Sequence, residues 1–155
     1  MILIDIANPD ESTINELKGL TKELVEGLGQ EFEPKRFDWG ISRRLYDPLQ
    51  RHGILVAKEE DSGRIIGMCV AELKVDPFGT SEGYIKQVFV KTEYRGKGIG
   101  KGLLERALEH LKKIKVDKVK VNIKEQAKEA GKLYEQMKFK KVYEVLEIDL
   151  REDNT

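Results

Sequence analysis

Between Val88 and Leu104 the sequence reads V-F-V-K-T-E-Y-R-G-K-G-I-G-K-G-L-L. A strand-like apolar run enters a turn containing Gly96, Gly98 and Gly100, and the turn opens an amphipathic helical pattern. The first turn of a helix has backbone N–H groups without intrahelical acceptors, and the helix dipole adds partial positive charge there. Glycines let an anion approach those donors with no Cβ in the way. Arg95, Lys97 and Lys101 flank the turn and can neutralise phosphate charge. The chemistry this stretch can do is to hold a phosphate or pyrophosphate.

Spacing narrows the ligand. A P-loop needs G-x-x-x-x-G-K-[ST]; here Gly96 to Gly100 is one residue short, and Gly102 follows Lys101 where a hydroxyl for Mg²⁺ is required. The dinucleotide fingerprint G-x-G-x-x-G fails at Lys101 in one frame and at Leu103 in the other. What fits is Arg95-x-x-Gly98-x-Gly100 between a strand and a helix, and this resembles the acyl-CoA signature [QR]-x-x-G-x-[GA] of the GNAT superfamily of acetyl-CoA-dependent N-acetyltransferases. The resemblance implies that the helix N-terminus holds the CoA pyrophosphate, with Arg95, Gly96, Lys97, Gly98, Ile99, Gly100 and Lys101 around it. It also implies that the strand Val88-Phe89-Val90 splays from its neighbour at a bulge. Val88 and Val90 would then offer backbone groups to the pantetheine arm and the acetyl carbonyl.

A second stretch, Ala127-x-x-Ala130-x-x-Leu133-Tyr134-Glu135-x-x-x-Phe139, resembles the family's N-x-x-A-x-x-L-Y-x-x-x-G-F block. By that resemblance Ala127, Ala130 and Tyr134 lie along the cofactor, and Tyr134 is the general acid that protonates the departing thiolate. Two positions depart from the block: Ala127 replaces an asparagine and Lys138 a glycine. Read alone, Tyr134 also fits a half-buried helix tyrosine. An alkyl amine of pKa about 10.4 must shed a proton before it attacks. Where some family members keep a glutamate in the fifth strand this chain has Asn122, which cannot act as a base. Glu82, Tyr84 and Glu72 are the remaining candidates, with Glu82 first; Glu82 also reads as a plain loop carboxylate.

The elements that must position these residues follow from periodicity and punctuation. Met1–Ile6 reads as a strand, and Asn8-Pro9-Asp10-Glu11 as a helix start capped by Asn8. That helix ends near Gly29; Glu31–Gly40 reads as a loop carrying Phe32, Phe37 and Trp39, and a short helix distorted by Pro48 covers about residues 41–51. Residues 54–58 and 65–75 form a hairpin, 84–90 a fourth strand and 98–113 a helix in which Gly98 is expected at negative φ. Residues 118–123 read as a fifth strand, 127–137 as a helix and 142–150 as a closing strand. The fold class is α/β (α+β): a single GNAT-like domain over residues 1–155. Its central sheet is mixed and mostly antiparallel, with six or seven strands, about four flanking helices and a splay between the fourth and fifth strands.

Composition sets the remaining bounds. The chain has 155 residues, 39% hydrophobic and 36% charged, with no apolar run long enough to span a bilayer. The N-terminus carries Asp5 and no basic leader, so it does not read as a secretory signal, and a single thiol fits a reducing cytoplasm, with no membrane partner expected. Cys69 is the single cysteine and His52 and His110 the only histidines, so no metal is expected. The net charge is zero, yet residues 91–141 hold 16 Lys/Arg against 7 Asp/Glu, and the rest of the chain carries the opposite excess. The acidic half favours a cationic amine near Phe32, Phe37 and Trp39. The abundance of Lys and Glu resembles a thermophile surface.

The function expected is transfer of acetyl from acetyl-CoA to a primary amine, on a small molecule or a peptide, by direct attack in a ternary complex. A CoA-binding regulatory module without turnover is the alternative. Nucleic acid is disfavoured because the basic sector lacks interleaved aromatics. A homodimer is left open.

Overall fold

The computed structural model describes residues 1–123 and 128–151, with backbone alone for 128–130. The chain divides into two compact units, one from Met1 to Asn122 and one from Ile123 onward. In the first unit the order is β1 (Ile2–Ile6), α1 (Glu11–Gly27), α2 (Pro34–Leu45), β2 (Ile54–Glu59), β3 (Ile65–Val75), β4 (Ser81–Val90), α3 (Ile99–Lys113) and β5 (Lys118–Val121). The second unit carries α4 (Lys128–Gln136). The five strands lie side by side in chain order. The first four pair antiparallel, and β5 joins β4 in parallel because α3 returns the chain across one face.

The helices sit where their apolar stripes can be buried. Leu17 and Leu20 of α1, with Ile41 and Leu45 of α2, pack on Ile54, Val56, Met68, Val70 and Phe89 of the sheet. Strand alternation sends the neighbours of those residues to the opposite face, where α3 lies. There Gly83 is needed for close approach: a Cβ on it would stand 2.7 Å from Leu111 Cδ1. All of these apolar side chains are nearly sealed from solvent, each contributing about 1.5–3 kcal/mol of hydrophobic stabilisation.

Helix ends explain several departures from the sequence reading. Asp10, and not Asn8, caps α1: its carboxylate accepts the Thr13 amide at 2.7 Å. Pro34 occupies the first turn of α2, so most of the expected aromatic loop is helix and the expected helix over 41–51 ends at Leu45. Pro48 therefore lies in the turns beyond α2 and distorts no helix. The loop–helix junction before α3 also differs, because Gly98 is its N-cap at φ +79° and not a residue of its first turn.

The sheet has five strands among the described residues, not six or seven. Residues 142–150 have no strand pairing, and Val142, Val145, Leu146, Ile148 and Leu150 are exposed. Their β-rich composition forms no ladder, since strand propensity is realised only against a partner edge. The hairpin and the α3 helix stand where the periodicity places them, whereas the fourth strand begins three residues earlier than expected, at Ser81, so Glu82 lies in β4 and not in a loop.

Candidate functional site

The centre of the site is the place where β4 leaves β5. Their parallel pairing runs from Glu82↔Lys118 to Ile85↔Val121 and stops there, while β4 continues to Val90. On its other edge β4 pairs with β3, but the register jumps from Ala71↔Ile85 to Val70↔Gln87, leaving Lys86 as a bulged extra residue. The bulge and the end of pairing coincide, and together they make the splay. Beyond it the Lys91 amide donates to the Ile66 carbonyl of β3 at 2.8 Å. Alternation along the strand then turns the backbone polar groups of Val88 and Val90 to the open edge. The Val90 carbonyl there accepts the Arg95 Nε–H at 2.9 Å, so the Val90 amide and both Val88 groups are the ones facing the gap.

The turn beside this edge is built for close approach. Gly96 and Gly98 hold φ of +78° and +79°, a left-handed conformation that L side chains rarely adopt, and a Cβ on either would meet no protein atom. No side chain caps α3, and its first intrahelical bond is Gly102 amide to Gly98 carbonyl at 3.0 Å. The amides of Ile99, Gly100 and Lys101 therefore precede the ladder and carry the positive end of the helix dipole. A Cβ on Gly100 would sit 3.8 Å from Val90 Cγ2 and 3.9 Å from Val88 Cγ1, which sets the helix N-terminus directly over the open strand.

Several residues of the motif are spent on structure. Phe89 is 5% exposed in the α1–α2 core, and the Arg95 guanidinium lies 5.5 Å from its ring. Ile99 is buried, so only its backbone faces outward. Lys101 reaches Glu105 at 4.0 Å on the exposed side of α3. Lys97 lies 5.4 Å from the Tyr94 ring centroid. Tyr94 itself is held by a network that no local signal reveals: its hydroxyl donates to Glu59, and Arg64 donates to both Glu59 at 2.9 Å and the Tyr94 hydroxyl at 3.0 Å. The Tyr94 hydrogen bond, and then Arg64, hold the Glu59 carboxyl below its usual range. The hairpin end that carries Glu59 and Arg64 thus anchors the residue next to Arg95.

Glu82 stands at the paired end of β4, accepting from Lys120 Nζ at 2.8 Å and from the Tyr84 hydroxyl at 2.9 Å. Those two donors, Lys120 foremost, lower its pKa. Glu72 is ion-paired with Arg44 of α2 at 3.0 Å. Of the aromatics, Phe37 packs on the core, whereas Trp39 is exposed with the Arg43 guanidinium 4.5 Å from its ring. Cys69 is fully buried mid-strand, and burial pushes its thiol up to about 12. Among the described residues no group of His, Cys, Asp and Glu is arranged to hold a metal ion.

In the second unit Tyr134 lies on α4 and is buried, its ring 5.5 Å from that of Phe139. Phe139 and Lys138 donate to the carbonyls of Tyr134 and Glu135, both at 3.0 Å, the paired bonds of a Schellman cap. Lys138 at φ +69° thus takes the left-handed position for which glycine is the usual residue. Ala130 is on α4, and Ala127 lies outside the described residues.

An uncapped, glycine-gated helix start thus lies over an open strand edge. Residues 17–139 match the acetyltransferase (GNAT) family, and the chain belongs to that family. A comparison with curated protein sequences finds no match. Solved structures share the fold at low identity. A ribosomal-protein-alanine N-acetyltransferase from Brucella melitensis biovar Abortus 2308 superposes with a TM-score of 0.76 at 20% identity, over 97% of this chain and 100% of that one. An aminoglycoside N-acetyltransferase in complex with CoA gives 0.78 at 15% identity, over 97% and 95%. A transcriptional regulator from Bacillus halodurans C-125 gives 0.80 at 20%, over 97% and 100%.

Proposed function

We propose that this chain is a one-domain enzyme that moves an acetyl group from acetyl-CoA to a primary amine by direct attack within a ternary complex. The observation that carries the reading is the position of the α3 N-terminus over the unpaired end of β4. The amides of residues 99–101, reached through Gly96 and Gly98, hold the pyrophosphate, and Lys97 and Lys101 neutralise it. Arg95 shapes the turn through its bond to Val90. The Val88 and Val90 backbone groups take the pantetheine and the acetyl carbonyl, lying along the β4 edge much as a β5 extension would.

When the amine nitrogen attacks, the C–S bond breaks and Tyr134 gives its proton to the thiolate. Glu82 accepts the amine proton through water. Its depressed pKa keeps it ionised throughout the neutral range and makes it a weaker base than an ordinary carboxylate, so turnover should rise with pH as free amine accumulates. The same ion pair, with Asn122 in β5's continuation, supports a second reading in which CoA is bound without turnover.

Thiol release from acetyl-CoA across a panel of amines separates the two. Release that depends on an amine, and that falls in Tyr134→Phe while acetyl-CoA affinity holds, is expected of the transferase. Binding without release from any amine supports the regulatory module.

A further inference from the structure

We propose that the acceptor is an amine bearing a carboxylate close to its nucleophilic nitrogen, and that Lys74 and Lys86 beside the Tyr84 ring hold that carboxylate. The inference rests on the transferase reading above and names its substrate class. An amine has to reach the open edge of β4, where α3 covers one face of the sheet and α1 and α2 pack on the core of the other. Gly83 points at Leu111 of α3, so Tyr84 points to that other face, at the last turn of pairing before the gap.

Three ammonium groups gather on this ring. Lys74 Nζ lies 4.8 Å from its centroid, Lys86 Nζ 5.1 Å and Lys120 Nζ 5.9 Å. Lys120 is drawn there by Glu82, and the ring face is a modest attractor for the other two. The carboxylates nearby are already engaged: Glu82 with Lys120 at 2.8 Å and Glu72 with Arg44 at 3.0 Å. Asp76 accepts the amides of Phe78 and Thr80, both at 2.9 Å. Among the described residues neither Lys74 nor Lys86 has a carboxylate partner, and both are exposed. A hollow of about 420 Å³ lined by Leu73, Lys74, Val75, Asp76, Thr80 and Glu82 opens beside Lys74 and has room for an amino acid, its two carboxylates being the ones already held by Lys120 and by the Phe78 and Thr80 amides.

The carboxylates of this face, Glu72, Asp76 and Glu82, each have donors of their own. A carboxylate here supplies the missing counter-charge. The lysines also help the chemistry, because nearby positive charge disfavours the ammonium form of the acceptor and raises the fraction of free amine.

The test uses thiol release at low salt with matched acceptors. Free alanine is set against alaninamide, a peptide beginning with Glu against one beginning with Gln, and spermidine stands for amines without an anion. The carboxylate member of one pair should exceed its amide partner in kcat/KM by about threefold to tenfold, and the gap should narrow as salt rises. The pair that shows it tells a free amino acid from an acidic peptide N-terminus. In the double variant Lys74→Glu, Lys86→Glu the preference should reverse, with acetyl-CoA affinity by calorimetry unchanged.

Equal rates within both pairs, a preference for spermidine, or a ratio untouched by the double variant would overturn the inference and leave the transferase standing. Loss of acetyl-CoA affinity in the variant would also overturn it, by assigning the lysines to the cofactor. Absence of release with every acceptor overturns the transferase reading and this one with it.

Discussion

Replacing Gly98 by alanine separates a glycine kept for a ligand from one kept for packing. The protein leaves open space where the new Cβ would go, so no side chain or backbone atom resists it. What resists is φ +79°, where an L residue is disfavoured by about 1–2 kcal/mol. For a chain of this length that lowers the thermal midpoint by about 2–8 °C. The open space is also where the pyrophosphate must approach the amides of residues 99–101. The wild type, with acetyl-CoA at about 100 times its Kd, should gain about 2.7 kcal/mol and a correspondingly higher midpoint. Gly98→Ala should gain nothing. Gly100→Ala is the control: φ is helical there and the Cβ meets Val88 and Val90 at ordinary contact distance, so that variant should fold as well as wild type and still respond. Differential scanning with and without acetyl-CoA reads all three. A Gly98→Ala protein that is destabilised yet shifted by ligand as far as wild type would refute the reasoning.

Other expectations bear on the supports of the site and on the fold. Tyr94→Phe removes the hydroxyl shared with Glu59 and Arg64, and should weaken acetyl-CoA binding by about twofold to tenfold, the worth of one hydrogen bond, with kcat unchanged. Lys138→Gly relieves a left-handed residue at the end of α4 and should raise stability in denaturant by about 1 kcal/mol. His110 has its pKa lowered by burial first and then by His52 and Lys113. The unfolded chain therefore binds the extra proton more readily, and the contribution of His110 is complete above its ordinary pKa of 6.5 and is lost as pH falls below it. Midpoints measured between about pH 7.5 and about pH 5.5 should drop with acidification, and His110→Gln should flatten the curve.

The strand–turn–helix of the site was legible because its signals are local: an apolar strand, glycines at fixed offsets, then helical periodicity. The left-handed Gly98 was not, since one residue decides whether a glycine caps a helix or belongs to its first turn, and boundaries are the weakest part of pattern reading. Pro34 carried a readable helix-start signal that the surrounding aromatics obscured. The Glu59–Arg64–Tyr94 network and the lysines around Tyr84 left no trace in sequence spacing, because β-sheet register brings together residues that lie far apart in the chain. The run over 142–150 shows the converse, an alternating pattern with no ladder to join.

Calorimetric titration of the protein with acetyl-CoA tests the central claim most directly. Binding should be saturable at one site per chain and stronger than binding of ATP. It should weaken steadily as salt rises, because anionic phosphates meet the α3 N-terminus, Lys97 and Lys101. No heat of binding, or an affinity for ATP above that for acetyl-CoA, would contradict the account.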